Sequence, residues 1–321
     1  MPVQTEKKKL TIVIPCYNEE DNVVPLAEAI FKVTDEKCPN YLTELLFIDN
    51  YSTDKTREEL RALAKGNKRI KCIFNARNFG HIRSPFYGLT QADGDLVMLM
   101  CADFQDPPEL IPEFVKKWEE GYRVIVGQKK KSLTNPLVNF VRNVYYHIIH
   151  RISAVEQVEY FTGFGLYDKG FIRVLASLGD PYPYLRGIVA ELGYRMATID
   201  YTQPKRKAGK THNNFATLYD MAMNGLTSYS TFFVRSATFV GTFFGFGGFA
   251  GGIVYLVFLI LALVQKTPTP NILYPILAVS FFLAGIILFF IGMVGEYVLQ
   301  INKRVLNRPY VVEEERINFE E

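Results

Sequence analysis

The chain has 321 residues, room for one large domain with appendages. Hydrophobic residues make up 49% of it, and its mean hydropathy of +0.05 is high for a purely water-soluble protein. A net charge of only +3 argues against a nucleic-acid binder.

Met1 to Lys9 is polar and basic and lacks the apolar core of a signal peptide, so the head is expected to stay in the cytoplasm. Leu10 to Pro15 reads as a short strand and Asn22 to Lys32 as a helix. Glu44 to Asp49 is a second strand, followed by a helix over Thr53 to Lys65. Ile70 to Asn75 is a third, followed by a helix over His81 to Gln91. Asp95 to Cys101 is a fourth, nearly all apolar. Pro107 and Pro108 open a helix running to Glu120, since proline is tolerated in a first turn. Arg123 to Gly127 is a fifth strand. Continuous apolar strands alternating with helices predict an α/β head with a parallel sheet covered on both faces. Ligands of such sheets sit beyond the carboxyl ends of the strands, and the polar clusters at 16–20, 49–52 and 102–106 fall there. The four cysteines, Cys16, Cys38, Cys72 and Cys101, form no C-x-x-C pair and read as reduced, mostly buried thiols of a cytosolic domain.

Residues 135–154 carry large apolar side chains at helical spacing with Arg142, His147, His150 and Arg151 among them. They fit either an interfacial helix lying on a bilayer or a helix packed on the sheet. Arg195 to Gln203 reads as a strand and leads into the basic loop Pro204 to Lys210; 213–231 is a second amphipathic candidate. No charge interrupts Ala237 to Val264 or Ile272 to Val294, and each run exceeds the ~20 apolar residues a spanning helix needs. Arg235 precedes the pair, and Lys303, Arg304 and Arg308 follow it. The positive-inside rule then puts both termini in the cytoplasm, as an integral inner (plasma) membrane protein. The expected layout is a soluble head over 1–212, a juxtamembrane helix over 213–231, a two-span hairpin over 232–299 and a solvated acidic tail over 300–321. Gly241, Gly245, Gly247, Gly248, Gly251 and Gly252 offer close packing between helices, which leaves the oligomeric state open, a homo-oligomer included.

The cluster with most chemistry is Asp103-Phe104-Gln105-Asp106 at the end of a buried strand. Carboxylates there cost free energy unless they bind a cation or ligand. Oxygen donors suit Mg2+ or Mn2+, metals that often bridge to substrate phosphates. Asp106 alternatively caps the following helix.

Four segments taken together, Val13 to Glu20 (VIPCYNEE), Asp49 to Asp54 (DNYSTD), Ala76 to Gly80 (ARNFG) and Ala102 to Glu109 (ADFQDPPE), resemble the ordered signatures of family 2 glycosyltransferases with a GT-A fold, a Rossmann-like, mostly parallel sheet. More narrowly, the chain is similar to polyisoprenyl-phosphate glycosyltransferases such as dolichol-phosphate mannose synthases and bactoprenol glucosyltransferases. The resemblance implies that Pro15, Tyr17, Glu19 and Ala102 line a nucleotide pocket and that Asp49 or Asn50 touches the base or ribose. It implies that Asp103 and Gln105 hold the metal and diphosphate, with Asp103, Asp106 and Arg206 in catalysis. Arg206, Gly209 and His212 match the family's R-x-x-G-x-[ST]-K loop, with histidine at the lysine position; with Lys210, this loop would close over the diphosphate or a lipid phosphate. The basic run also fits a patch drawn to anionic lipid.

Three positions depart from the family pattern. Asn50 and Cys101 stand where relatives carry aspartates, and Gly163 stands where many carry a candidate base. A phosphate acceptor is mostly a dianion at neutral pH and needs no strong base, whereas a sugar hydroxyl does. Asp103, Asp106, Glu159 and His81 are all open as bases. The expected reaction is inverting transfer of one sugar from a UDP-, GDP- or dTDP-linked donor to undecaprenyl phosphate at the cytoplasmic face. Transfer to a glycan or glycolipid hydroxyl, or a degenerate membrane scaffold, are the alternatives. The single tryptophan, Trp118, does not sit in the Gln-x-x-Arg-Trp context of processive synthases.

Overall fold

The computed structural model describes residues 7–130, 161–204, 223, 232–266, 273–306 and 308–319. The helix expected over 135–154 and the basic loop from Lys205 to His212 lie outside the described residues, as does all but Met223 of 213–231.

The head is built on one mixed sheet. Strands β1 (Lys8–Cys16), β2 (Tyr41–Asp49), β3 (Ile70–Asn75) and β4 (Leu96–Leu99) are parallel neighbours in the order β4-β1-β2-β3. Helices α1 (Val23–Lys37), α2 (Thr56–Gly66) and α3 (Gly80–Gln91) connect them. Because side chains alternate across a strand, β1 feeds two cores. Leu10, Ile12 and Ile14 pack with Leu26 and Ile30 of α1 and Leu60 of α2 on one face. Val13 packs with Ile48 of β2 and with Phe86 and Leu89 of α3 on the other. Both faces are buried, which is why these strands read as unbroken apolar runs rather than as alternation. Gly88 lets α3 lie close: a Cβ there would come within 2.7 Å of Val13 Cγ1 and 3.2 Å of Ile48 Cγ2.

A 3-10 turn (Pro108–Leu110) precedes α4 (Ile111–Glu119), so the proline pair starts a shorter helix than the expected Pro107–Glu120. Strand β5 (Val124–Lys129) pairs antiparallel with β6 (Phe161–Asp168), which lies antiparallel against β4. Helices α5 (Lys169–Ser177) and α6 (Leu185–Glu191) follow, and β7 (Met196–Tyr201) closes that edge parallel to β5. The sequence does not announce β6, because Gly163 and Gly165 interrupt its apolar face. Gly165 makes room for Tyr167, whose hydroxyl donates to the Gly163 carbonyl at 2.9 Å.

The far edge corrects one expectation. Within the supposed solvated tail, Glu313–Ile317 forms β8, antiparallel to β3. Its acidic side chains meet donors on the two flanking helices. Arg61 grips Glu315 at 2.6 and 3.0 Å, Arg57 reaches Glu314 at 2.7 Å, and Tyr87 donates to Glu313 at 2.8 Å. Asn318 Nδ2 donates to the carbonyls of Ala64 and Ile70. The strand covers an edge that would otherwise offer unpaired backbone groups.

Two long helices lie between head and clasp: α7 (Phe232–Gln265) and α8 (Leu273–Val305). Among the described residues one stretch is long and apolar enough to cross a membrane, Val279–Asn302, and its apolar side chains are largely exposed. Ile253–Gln265 of α7 is a shorter apolar stretch, so the described residues supply one candidate span, not the two expected. The helices touch through an edge-on contact between Phe244 and Phe282 at 5.7 Å.

A chain ending at Arg308 should lose the clasp and, with β3 uncovered, melt roughly 5–10 °C lower in detergent. Glu315→Ala alone should cost only a degree or two, because its ion pair is well exposed to water. Thermal unfolding followed by circular dichroism checks both; an unchanged midpoint for the truncated chain would show that β8 is a passive strand.

Candidate active site

The polar segments converge at the carboxyl ends of β1, β2 and β4. After β1 the chain turns through Asn18, whose φ of 57° lies in the left-handed region that asparagine tolerates. This loop is laced to the one after β2. Asn18 N–H donates to Ser52 Oγ at 2.9 Å, Thr53 N–H donates to Asn18 Oδ1 at 2.8 Å, and Glu19 N–H donates to Thr56 Oγ1 at 2.8 Å. Glu19 accepts from Asn22 Nδ2 at 2.6 Å, which fixes its carboxylate at the start of α1.

Asp49 and Asn50 are neighbours that face different ways. Asp49 is fully buried and accepts from the N–H groups of Tyr51 at 3.1 Å and Ser52 at 3.2 Å, with Arg57 Nε 3.4 Å away. Burial pushes its carboxyl up from the ordinary carboxylate range, and those donors and Arg57 oppose the rise. It organises the turn, including Tyr51 at φ 69°, and is not among the residues lining the cleft. Asn50 does line it. Its Nδ2 donates to Asn78 Oδ1 at 2.9 Å and to the Gly80 carbonyl at 3.3 Å. Its Oδ1 accepts from Phe79 N–H at 2.9 Å and Asn75 Nδ2 at 3.2 Å. An aspartate could not make the two donations, so asparagine here ties the β2 loop to the one entering α3.

Beyond β4 two more carboxylates divide the work. Asp106 is 1% exposed and spends one oxygen on Cys101 N–H and the other on Tyr201 Oη, each at 3.0 Å. Burial pushes its carboxyl up, opposed by those two donors and by nearby Lys129. It therefore braces the 101–106 loop from within and does not cap α4. Asp103 also lines the cleft, with Oδ1 accepting from Gln105 N–H at 3.1 Å. The Gln105 side chain is not among the lining residues.

The cleft measures about 460 Å3, within the range of small-molecule sites. Pro15, Tyr17, Glu19 and Asn50 line it together with Ala102, Asp103 and Asp106, so the structure gathers most of the expected nucleotide and catalytic residues. Asp49 and Gln105 stand outside the lining, and Arg206, Gly209, Lys210 and His212 lie outside the described residues. Of the candidate bases, His81 joins Asp103 and Asp106 in the cleft, and Glu159 is undescribed. Gly163 lines it at φ 105°, a conformation L side chains rarely adopt, and a Cβ would meet Leu99 Cδ2 at 3.2 Å. Sequence reasoning missed Asn78, Tyr184 and Arg186; the last two belong to a segment with no motif to mark it.

No group of three or more His, Cys, Asp or Glu among the described residues is arranged to hold a metal. Asp106 is committed to its two donors, and Cys101 supplies no carboxylate. Asp103 fits a divalent ion that arrives on a diphosphate, since Mg2+ is usually held by one or two carboxylates plus substrate phosphates.

The family model described as "Glycosyl transferase family 2" matches residues 11–171. The SfII prophage-derived bactoprenol glucosyl transferase of Shigella flexneri is 31% identical over 307 residues, covering 95% of this chain and 97% of that one. An uncharacterized glycosyltransferase of Synechocystis is 30% identical over 306 residues, covering 94% and 93%. Among solved structures, mannosyl-3-phosphoglycerate synthase from Rubrobacter xylanophilus aligns with a TM-score of 0.48 at 16% identity, covering 67% of this chain and 71% of that one.

Asp106→Asn should place an amide donor against an N–H or hydroxyl donor and cost about 1–3 kcal/mol in chemical denaturation. The carboxyl's raised pKa means the folded state binds its proton more tightly than the unfolded state. Wild-type stability should therefore fall as pH rises past the ordinary value of 3.8, and the variant should lose part of that slope. Equal slopes for the two proteins would put the pH dependence elsewhere.

Proposed function

The chain belongs to glycosyl transferase family 2, and from that premise we propose that this hexosyltransferase moves a single sugar from a nucleotide-sugar to a polyisoprenyl phosphate, with inversion. The observation that supports this best is the end-to-end similarity to a bactoprenol glucosyl transferase, which takes in the long apolar helices as well as the head.

In this reading the nucleoside sits against Pro15, Tyr17, Glu19 and Asn50, and the diphosphate reaches Asp103. A divalent ion held there with the diphosphate would offset its charge. An oxygen of the acceptor phosphate attacks the anomeric carbon, the bond from that carbon to the diphosphate oxygen breaks, and the nucleoside diphosphate departs with the electron pair. The acceptor is close to a dianion at neutral pH and carries its own nucleophile. A glycine at 163 is thus compatible with turnover, and catalysis rests on positioning and charge stabilisation. The loop holding Arg206, Gly209, Lys210 and His212 would close over the leaving group.

The same reading gives the long helices their place. At 1.5 Å per residue, the 34-residue α7 extends about 50 Å, enough to span a bilayer and continue beyond it. With α8 it would form a two-span hairpin. Arg235, Lys303, Arg304 and Arg308 at its open end would keep the head and both termini on the cytoplasmic side.

The test is transfer from a panel of radiolabelled UDP-, GDP- and dTDP-sugars to undecaprenyl phosphate in membranes. Asp103→Asn should cut transfer about 100-fold or more while leaving the melting temperature unchanged. Full activity in that variant would remove Asp103 from the site. Labelled product on a glycan hydroxyl instead of the lipid would overturn the acceptor.

A further inference from the structure

The cleft is electrically lopsided. Carboxylates dominate the part formed by the β1 and β4 loops, where Glu19, Asp103 and Asp106 line it. Among all the described lining residues, Arg186 is the single lysine or arginine. It stands in the first turn of α6, half-buried, and makes no hydrogen bond or ion pair with a described residue. A guanidinium stays charged at any physiological pH and presents five donors in a planar fork. Held in a partly closed cleft with no carboxylate paired to it among the described residues, it is suited to a planar or tetrahedral oxyanion arriving from outside.

Two such anions take part in the proposed reaction. In the reading above the donor's diphosphate would be met by a divalent ion at Asp103, which lines the cleft among the carboxylates. The acceptor's phosphate otherwise has no cation among the described lining residues. The surroundings of Arg186 also fit an amphiphile. Pro183 and Leu185, its neighbours in the chain, line the cleft with Ile82, Pro85 and Phe86 of α3. We propose that Arg186 binds the phosphate monoester of the acceptor, and that this apolar wall receives the first isoprene units beside it. The inference rests on the polyisoprenyl phosphate reading above and adds the residue that recognises the headgroup.

The experiment uses the full chain in detergent, a short-chain polyprenyl monophosphate, and the nucleotide-sugar that supports transfer by the wild type. Arg186→Gln should raise the acceptor KM about 10- to 100-fold, the scale of losing a charge-assisted bidentate contact. Arg186→Lys, which keeps the charge but not the fork, should fall between. Donor KM, calorimetric affinity for the nucleoside diphosphate and the melting temperature should all stay within twofold or a degree of wild type. A raised donor KM with an unchanged acceptor KM would assign Arg186 to the diphosphate and overturn the proposal. Two unchanged KM values would remove it from phosphate binding altogether. Wild-type enzyme that glycosylates a sugar hydroxyl but no polyprenyl monophosphate would sink the acceptor reading and this inference with it. An active wild type with an indifferent Arg186→Gln sinks the inference alone.

Discussion

Two carboxylates buried at the strand ends govern the active face. Asp49 and Asp106 are almost wholly removed from water, and a buried charge is tolerated only when its lone pairs are met. Each is met by backbone N–H groups of its own loop, and Asp106 also by a hydroxyl from β7 at the far side of the sheet. The loops are consequently shaped from the inside. Asp49 folds the β2 turn so that Asn50 faces the cleft, and Asp106 pulls Cys101 into position so that Asp103 does. Asp49 thus shapes its loop from outside the cleft, whereas Asp106 both braces its loop and lines the cleft. A carboxylate-rich motif here contains scaffold and contact residues in alternation.

That division explains what the sequence could and could not reveal. The four parallel strands were legible because helices bury them on both faces, leaving long apolar runs such as Leu10 to Ile14 and Leu45 to Ile48. The polar ends were legible because few residue types suit a strand end beside an anionic ligand. β6 was not, since its glycines erase the apolar face that Tyr167 then covers from a position further along the strand. β8 was not either. Its charges read as solvated until Arg57, Arg61 and Tyr87 are brought to the same edge, and those residues lie more than two hundred positions away. Within the candidate site, Asp49 and Asn50 could not be told apart by sequence. Only the turn geometry decides which of two adjacent side chains points inward.

The clasp links the end of α8 to the cleft. After α8, Pro309 accepts a hydrogen bond from Arg83, and Tyr310 packs on Phe86 with ring centroids 5.2 Å apart. Phe86 lines the cleft, and Arg83 lies on the same helix, α3. The end of α8 is thus fastened to the helix that forms one wall of the site. In the proposed reaction a lipid acceptor would present its headgroup from a bilayer plane, and the height of the cleft above that plane would have to stay fixed. A short strap between the apolar helix and α3 constrains it with few residues.

The three positions that depart from the family pattern are not equivalent. Asn50 has a positive reason: its amide both donates and accepts across to the α3 loop, which a carboxylate could not do. Gly163 has a conformational one, since its φ of 105° strains any side chain. Cys101 sets its thiol against the buried Asp106 carboxylate, where an aspartate would bring a second negative charge. Asn50 and Gly163 are therefore consistent local solutions rather than decay of a site. In the proposed reaction, a cleft that brings a diphosphate and a phosphate monoester together would gain from an uncharged side chain at each of these positions. Each carboxylate fewer would lower the repulsion that Arg186 and any bound metal have to offset.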